Sequence, residues 1–152
     1  MTSVTPIPSA ADGPLTEPIA HRRGVVAVVT RDDKLLVIRR SNTVVAPLAF
    51  CFPGGGIEPG ESEPAALVRE FAEELGTAVR PLRPIWRSVT SWQVELSWWR
   101  AGLGPEAVLR PSAAEVESVI WCTLAEMASL AGLLESNRRF LAAVANGEIF
   151  LE

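Results

Sequence analysis

Pro53-Gly54-Gly55-Gly56-Ile57-Glu58-Pro59-Gly60-Glu61, continued by Ser62-Glu63-Pro64-Ala65-Ala66-Leu67-Val68-Arg69-Glu70-Phe71-Ala72-Glu73-Glu74-Leu75-Gly76, is the stretch on which the fold turns. Its first part holds three consecutive glycines and two prolines, which suit neither helix nor strand and predict a loop. The second part predicts a helix from about Glu63 to Leu75, because proline is tolerated in a first turn and Gly76 makes a stop. Leu67, Phe71 and Leu75 recur at i, i+4 and i+8 and would face a core. At about 100° per residue, Glu70, Glu73 and Glu74 fall within an arc of roughly 100° beside that apolar stripe. Carboxylates so spaced repel one another by ~0.2–0.5 kcal/mol per pair even on an isolated helix, and a divalent cation removes the penalty. Hard oxygen donors select Mg²⁺ or Mn²⁺ over zinc, since no His or Cys cluster accompanies them. The glycines ahead of the helix let a ligand approach the main chain, where a carbonyl can join a metal shell and N–H groups can meet phosphate.

Upstream of this stretch, Gly24 to Thr30 is a β-branched run, Arg31-Asp32-Asp33-Lys34 a polar turn and Leu35 to Ile38 a second run, together a hairpin. Ser41 to Phe52 reads as irregular with one short strand. Downstream, Val79 to Val89 and Ser91 to Ala101 read as strands. In the second, Trp92, Val94, Leu96 and Trp98 alternate with Gln93, Glu95, Ser97 and Trp99. Val116 to Cys122 is a further strand. Thr123 to Glu126 has the spacing of a capping box, and a last helix runs from about Ser136 to Asn146-Gly147. Strands around one acidic helix, with helices at the end, place the chain in the α/β or α+β class.

The chain has 152 residues, 48% of them hydrophobic and 21% charged, enough apolar material for one core. Residues 1–20 are rich in Pro, Ser, Thr and Ala, without Lys or Arg, and read as a mobile tail; residues 21–152 read as a single domain. The tail lacks the basic start and apolar stretch of a secretory signal. No run approaches the ~18 apolar residues of a membrane helix. Cys51 and Cys122 cannot make a disulfide framework, so a reducing, cytoplasmic setting is expected. The formal net charge of −4 argues against nucleic acid or an anionic membrane as partner. That charge is uneven: Glu58 to Glu74 holds six glutamates and one arginine, whereas twelve arginines lie elsewhere. A solvated acidic helix is the ordinary reading of such a run, and a cation site receiving an anionic ligand is the sharper one.

Spacing decides between them. Gly55, five residues, Glu61, seven residues and then Arg69-Glu70-Phe71-Ala72-Glu73-Glu74-Leu75-Gly76 resembles the Nudix hydrolase signature, G-x5-E-x7-R-E-U-x-E-E-x-G-U, with U a bulky apolar residue. Seven fixed identities at about 7% usage each would arise by chance roughly once per million chains of this length. Thr77 departs from the final apolar place. The signature covers residues 55–77, and the wider pattern spans most of 22–145. The resemblance implies a mixed β-sheet between helices with a loop–helix–loop catalytic segment. It also implies Mg²⁺-dependent attack of water on phosphorus in a nucleoside diphosphate linked to another group, with Mn²⁺ able to substitute. Glu73 and Glu74 match metal ligands, and Glu70 matches a position that binds metal or orients the water. The Gly55 carbonyl matches a further ligand, and Arg69 and Glu61 match a pair that holds the segment's shape. Some relatives place the base outside the signature. Glu115 is the first candidate here, with Glu117 and Glu95 behind it.

The substrate is less legible. There is no tyrosine in the chain, and the flanking tags of several subfamilies are missing. Arg39 and Arg40, at the end of a strand leading to the glycine loop, are candidates for holding phosphates, as are Arg22 and Arg23. Trp99 is a candidate for stacking on a base. A nucleoside triphosphate or a nucleotide sugar is the expected substrate. A non-catalytic nucleotide-binding module on the same fold is the alternative, disfavoured because all four signature glutamates are present. Dimers are common in folds resembling this one, so a homodimer is the assembly to test.

Overall fold

Two consecutive aspartates begin the architecture. In a computed structural model that describes residues 22–151, Asp32 and Asp33 both take positive φ, 53° and 64°. That is the backbone of a two-residue turn matched to strand twist, and it joins β1 (Arg23–Arg31) to β2 (Lys34–Arg40). The proposed tail, residues 1–20, lies outside the described residues. β3 (Phe50–Cys51) pairs with β2.

β4 (Gly54–Gly56) corrects the loop expected for the glycines, since these residues pair antiparallel with Gly24–Val26 of β1. Close approach explains why glycine is needed in a strand here. A Cβ on Gly54 would collide with the carbonyl of Val25 and come within 3.0 Å of the Val26 Cα. Composition alone misses this, because glycine is unfavourable in a strand unless another backbone or side chain occupies the missing Cβ's place.

Helix α1 (Glu63–Leu75) has the expected limits. Ser62 caps its start by accepting from the Ala65 N–H at 3.2 Å, and Gly76 ends it with φ 64°. β5 (Arg80–Val89), β6 (Glu95–Gly102) and β7 (Val116–Cys122) follow. β6 starts later than expected because Thr90–Val94 is a turn, with the Thr90 Oγ1 accepting from the Trp92 and Val94 N–H groups and Gln93 at φ 65°. Trp92 therefore sits 43% exposed in the turn, while Val94, Leu96 and Trp98 fill the core as the alternation requires. α2 (Leu124–Ala128) opens on the capping box formed by Thr123 and Glu126, and α3 (Glu135–Ala145) closes the fold.

The strands run in the order β3-β2-β1-β6-β5, with β4 beside β1 and β7 beside β2. β1 and β6 are parallel and the other pairs antiparallel, a mixed sheet in an α+β protein. Alternate residues of each strand face two cores. On one face, Val25, Ala27, Leu36, Ile38 and Ala101 pack against Ala66, Leu67, Phe71 and Leu75 of α1. On the other, Val26, Val28, Val37, Leu96 and Trp98 pack against Met127 of α2 and Phe140 and Ala143 of α3. α1 thus lies along one face with β4 beneath it, and the acidic residues sit on that side.

Candidate active site

The apolar stripe of α1 fixes where its carboxylates go. With Leu67, Phe71 and Leu75 held in the core, Glu74 is drawn in to 5% exposure and Glu70 becomes half-buried, while Glu73 stays exposed. β4 meets them from below. The Gly54 N–H donates to Glu74 Oε1 at 3.1 Å, and a Cβ on Gly55 would run into the carboxylate of Glu70, its Oε2 lying 2.7 Å away. The first two glycines of β4 thus serve two ends: Gly54 admits a neighbouring strand and Gly55 admits a carboxylate.

Arg69 ties the segment together. Its Nε and Nη2 donate to the two oxygens of Glu61 at 2.8 and 2.9 Å, a bidentate pair, and Nη2 also donates to the Gly56 carbonyl at 2.9 Å. Its Nη1 donates to Glu70 Oε2 at 2.9 Å and reaches both Glu73 oxygens at 3.4 Å. The Glu61 carboxylate is held below the ordinary range by the Arg69 hydrogen bond, and Arg69 is correspondingly pushed up. This is the arrangement expected of the Arg69–Glu61 pair.

Burial sets the charge state of the other two. Glu70 is pushed up to about 7, chiefly by desolvation, against the Arg69 hydrogen bond and with the charges of Glu73 and Glu115 adding to the rise. Glu74 is raised well above the ordinary range by burial and then by the charge of Glu70. The charge of Glu115, the residue before β7, adds to the rise at both. The loop between β6 and β7 that leads to it is pinned to the end of α1, where the Arg110 and Ser112 N–H groups donate to the carbonyls of Leu75 and Glu74 at 2.7 and 2.8 Å. Of the other outside candidates, Glu117 lies 3.7 Å from Arg39 and Glu95 is exposed at the start of β6.

The arginine and tryptophan candidates go elsewhere. Arg39 lies over the Phe50 ring at 5.4 Å and donates to the Leu48 carbonyl, on the α3 side of the sheet. Arg40 is on the α1 side but buried, its Nε donating to the Val45 carbonyl at 2.7 Å and its Nη1 4.0 Å from the Cys51 sulfur. Its charge lowers the Glu74 carboxyl, opposing the rise. Trp99 is half-buried against the α1-side core, with its indole N–H donating to Glu63 Oε1 at 2.9 Å. Sequence reasoning passed over Glu63 and the inward turn of Arg40. Glu63 was visible only as one of six glutamates, and nothing in the pattern marks a buried arginine.

Glu70, Glu74, Glu115 and the neighbouring carbonyls are hard oxygen donors, and burial raises the carboxyls of Glu70 and Glu74, the charge of Glu70 adding to the rise at Glu74. A divalent cation fits that donor set. Among the described residues no three acidic, His or Cys side chains are already drawn into a closed metal shell, since Glu70 and Glu74 are held by Arg69 and the Gly54 N–H.

Comparison with known proteins accords with this geometry. Residues 20–144 match the NUDIX domain family. The CTP pyrophosphohydrolase of Escherichia coli strain K12 is 32% identical over 102 residues, covering 65% of this chain and 73% of that protein. The crystal structure of the MutT protein from Methanosarcina mazei Go1 superposes with a TM-score of 0.70 at 21% identity, over 88% of this chain and 97% of that one. The solution structure of the E. coli ORF135 protein gives a TM-score of 0.62 at 25% identity, over 88% and 94%. The motif, the mixed sheet with the carboxylate-bearing helix upon it, and these relatives together make the chain a member of the Nudix family and a hydrolase of pyrophosphate bonds.

Proposed function

We propose that the protein is a Mg²⁺-dependent pyrophosphohydrolase of a nucleoside triphosphate or nucleotide sugar, with Mn²⁺ able to replace Mg²⁺. The observation that carries this reading is the pair of inward-turned carboxylates over β4, Glu74 accepting from the Gly54 N–H at 3.1 Å and Glu70 lying against the main chain of Gly55, where burial raises both. Glu73, Glu74, Glu115 and the Gly55 carbonyl, with Glu70 at their edge, would hold the cation. Held by these residues, a divalent ion would supply positive charge against the phosphate oxygens of the substrate and against the charge that develops as the P–O bond breaks. Glu70, set against Gly55 and accepting from Arg69 Nη1, would take the proton from the attacking water. Arg69 and Glu61 keep the helix and β4 in register so that these oxygens converge.

CTP heads the candidate substrates because the E. coli relative bears that name. The family takes small nucleotides, and none of the helices is long and apolar enough to cross a membrane among the described residues. Cys51 and Cys122 are free and buried, which supports a cytoplasmic setting, and a homodimer is the assembly to test by light scattering.

The test is release of phosphate or pyrophosphate from a panel with Mg²⁺, Mn²⁺ and EDTA. The panel holds CTP, the other ordinary and oxidised nucleoside triphosphates, ADP-ribose, NADH, nucleotide sugars and dinucleoside polyphosphates. Metal-dependent turnover of a triphosphate or nucleotide sugar well above the rest is the expected result. Silence across the panel from folded protein overturns the reading.

A further inference from the structure

α1 is held against the sheet at three places, and two of them belong to the motif. Its middle is tied by Arg69 to Glu61 and the Gly56 carbonyl, and its end by Glu74 to the Gly54 N–H. The third tie is at Glu63, the first residue of the helix and one of the seven unspecified positions between Glu61 and Arg69. Its carboxylate is 13% exposed and receives donors from three separate strands. Trp99 Nε1 of β6 gives to Oε1 at 2.9 Å, while Arg23 Nη2 of β1 and Arg87 Nη2 of β5 give to Oε2 at 3.1 and 3.2 Å. Arg87 is itself steadied by its Nη1 on the buried Ser97 hydroxyl at 2.7 Å.

We infer that Glu63 is a positioning residue for the hydrolytic site, clamping the first turn of α1 to β1, β5 and β6 so that the carboxylates further along the helix meet β4. The inference rests on the proposed role of Glu70, Glu73 and Glu74. Glu63 lies seven residues before Glu70, about 10 Å along the axis at 1.5 Å per residue, too far to touch the reacting atoms. It acts by fixing the slope of the helix. Without the Glu63 tie no polar contact among the described residues holds the first turn of α1 to these strands, and a shift of that turn is carried along the helix to Glu73 and Glu74. Misplacement near 1 Å costs roughly a hundredfold in rate at a site that depends on geometry. Trp99 accordingly serves as a donor to the clamp.

The experiment compares Glu63→Ala, Glu63→Gln and Trp99→Phe with the wild type in kcat, KM, thermal midpoint and Mn²⁺ affinity measured by titration without substrate. Glu63→Ala is expected to lower kcat about tenfold or more and to weaken Mn²⁺ binding, with the protein still folded at the assay temperature. Glu63→Gln keeps an oxygen for Trp99 and should recover part of both losses. Trp99→Phe keeps a ring but removes the N–H, and should lower kcat with KM unchanged. Wild-type kcat and Mn²⁺ affinity in Glu63→Ala overturn the inference, as do losses that merely follow the unfolded fraction. Should Glu63→Ala not fold, unchanged kcat and Mn²⁺ affinity in folded Glu63→Gln and Trp99→Phe overturn it equally. A wild-type protein that neither binds Mn²⁺ nor shows metal-dependent turnover instead sinks the proposed metal site, and the clamp's role with it.

Discussion

On the α3 face of the sheet, Trp98 stacks on Phe140 at 4.8 Å, Phe52 meets both rings edge-on, and Trp86 closes the group. On the α1 face, the same strands bury Val25, Ala27 and Ile38 but share their cover with Glu74, and Arg40 and Glu70 lie beside them. One face is an aromatic core in which the Trp98 N–H is met by the Ser88 hydroxyl at 2.9 Å and the Phe52 N–H by the buried Asn137 Oδ1 at 3.0 Å. The other carries carboxylates whose burial raises their pKa values. The difference teaches where stability and chemistry are kept in a small fold: α3 supplies surplus stability, and α1 gives some of it up to hold charge away from water.

Breaking the aromatic face should have the largest effect. Trp98→Ala removes a fully buried indole and orphans Ser88, so a loss of about 3–5 kcal/mol is expected, a large share of the ~5–15 kcal/mol of an ordinary domain. Chemical denaturation measures it. The molecules that remain folded should keep wild-type Mn²⁺ affinity, because Trp98 touches none of the carboxylates. A weakened Mn²⁺ site would show that the two faces are not separable.

The converse is Glu74→Gln. An amide oxygen can still accept from the Gly54 N–H, but the charge is gone. Metal-dependent turnover should fall roughly a hundredfold or more. Metal-free protein near pH 7.5 should melt at a higher temperature than the wild type, since a buried carboxylate that resists ionisation has been replaced by a neutral group. Wild-type turnover in this variant and in Glu73→Gln would remove the proposed metal site.

The two faces were not equally legible. The aromatic face could be read from alternation, which put Val94, Leu96 and Trp98 together, and failed only at Trp92, where Thr90 bends the chain before the strand begins. On the α1 face, the helix limits were legible from Pro64 and Gly76, and the Arg69–Glu61 pair from the family resemblance. Three features there did not. β4 was hidden because a run of glycines signals a loop unless the partner strand is known. Arg40 reads as a surface cation, and only the Val45 carbonyl and the nearby Glu74 show why its charge can be buried. Glu63 gathers donors from strands far apart in sequence, with Arg87 and Trp99 24 and 36 residues away. Local pattern carries no information about such a meeting.

pH sharpens the contrast. The Glu70 carboxyl sits at about 7 in the folded protein against an ordinary 4.5, so the folded state holds a proton that the unfolded chain has lost. Its contribution is most favourable below about 4.5 and declines as pH rises through 7, by about 3 kcal/mol in all. Glu61 has the opposite sign: its lowered carboxyl stabilises the fold above the ordinary range and loses that as the solution is acidified. Metal-free protein should therefore lose thermal stability between pH 5 and pH 8, whereas Mn²⁺, which favours the ionised form of Glu70, should flatten the slope. The Trp98 face contributes nothing to it. An equal slope with and without Mn²⁺ would detach Glu70 from the metal.

The smallest change tests the comparison within one strand. Gly54→Ala and Gly55→Ala each add one methyl to β4, yet the two methyls meet different things. At Gly54 the obstacle is the Val25 carbonyl and the Val26 Cα, backbone that cannot yield without parting β4 from β1. At Gly55 it is the carboxylate of Glu70, the end of a side chain that can swing aside. Gly54→Ala should therefore cost about 1–3 kcal/mol of stability. Gly55→Ala should cost less in melting temperature but lower kcat by tenfold or more, because the displaced carboxylate is the one matched to the water proton. Loss of stability without loss of kcat at Gly55 would mean that the Glu70 carboxylate is not the base, which would then be sought at Glu115, whose charge adds to the rise at Glu70.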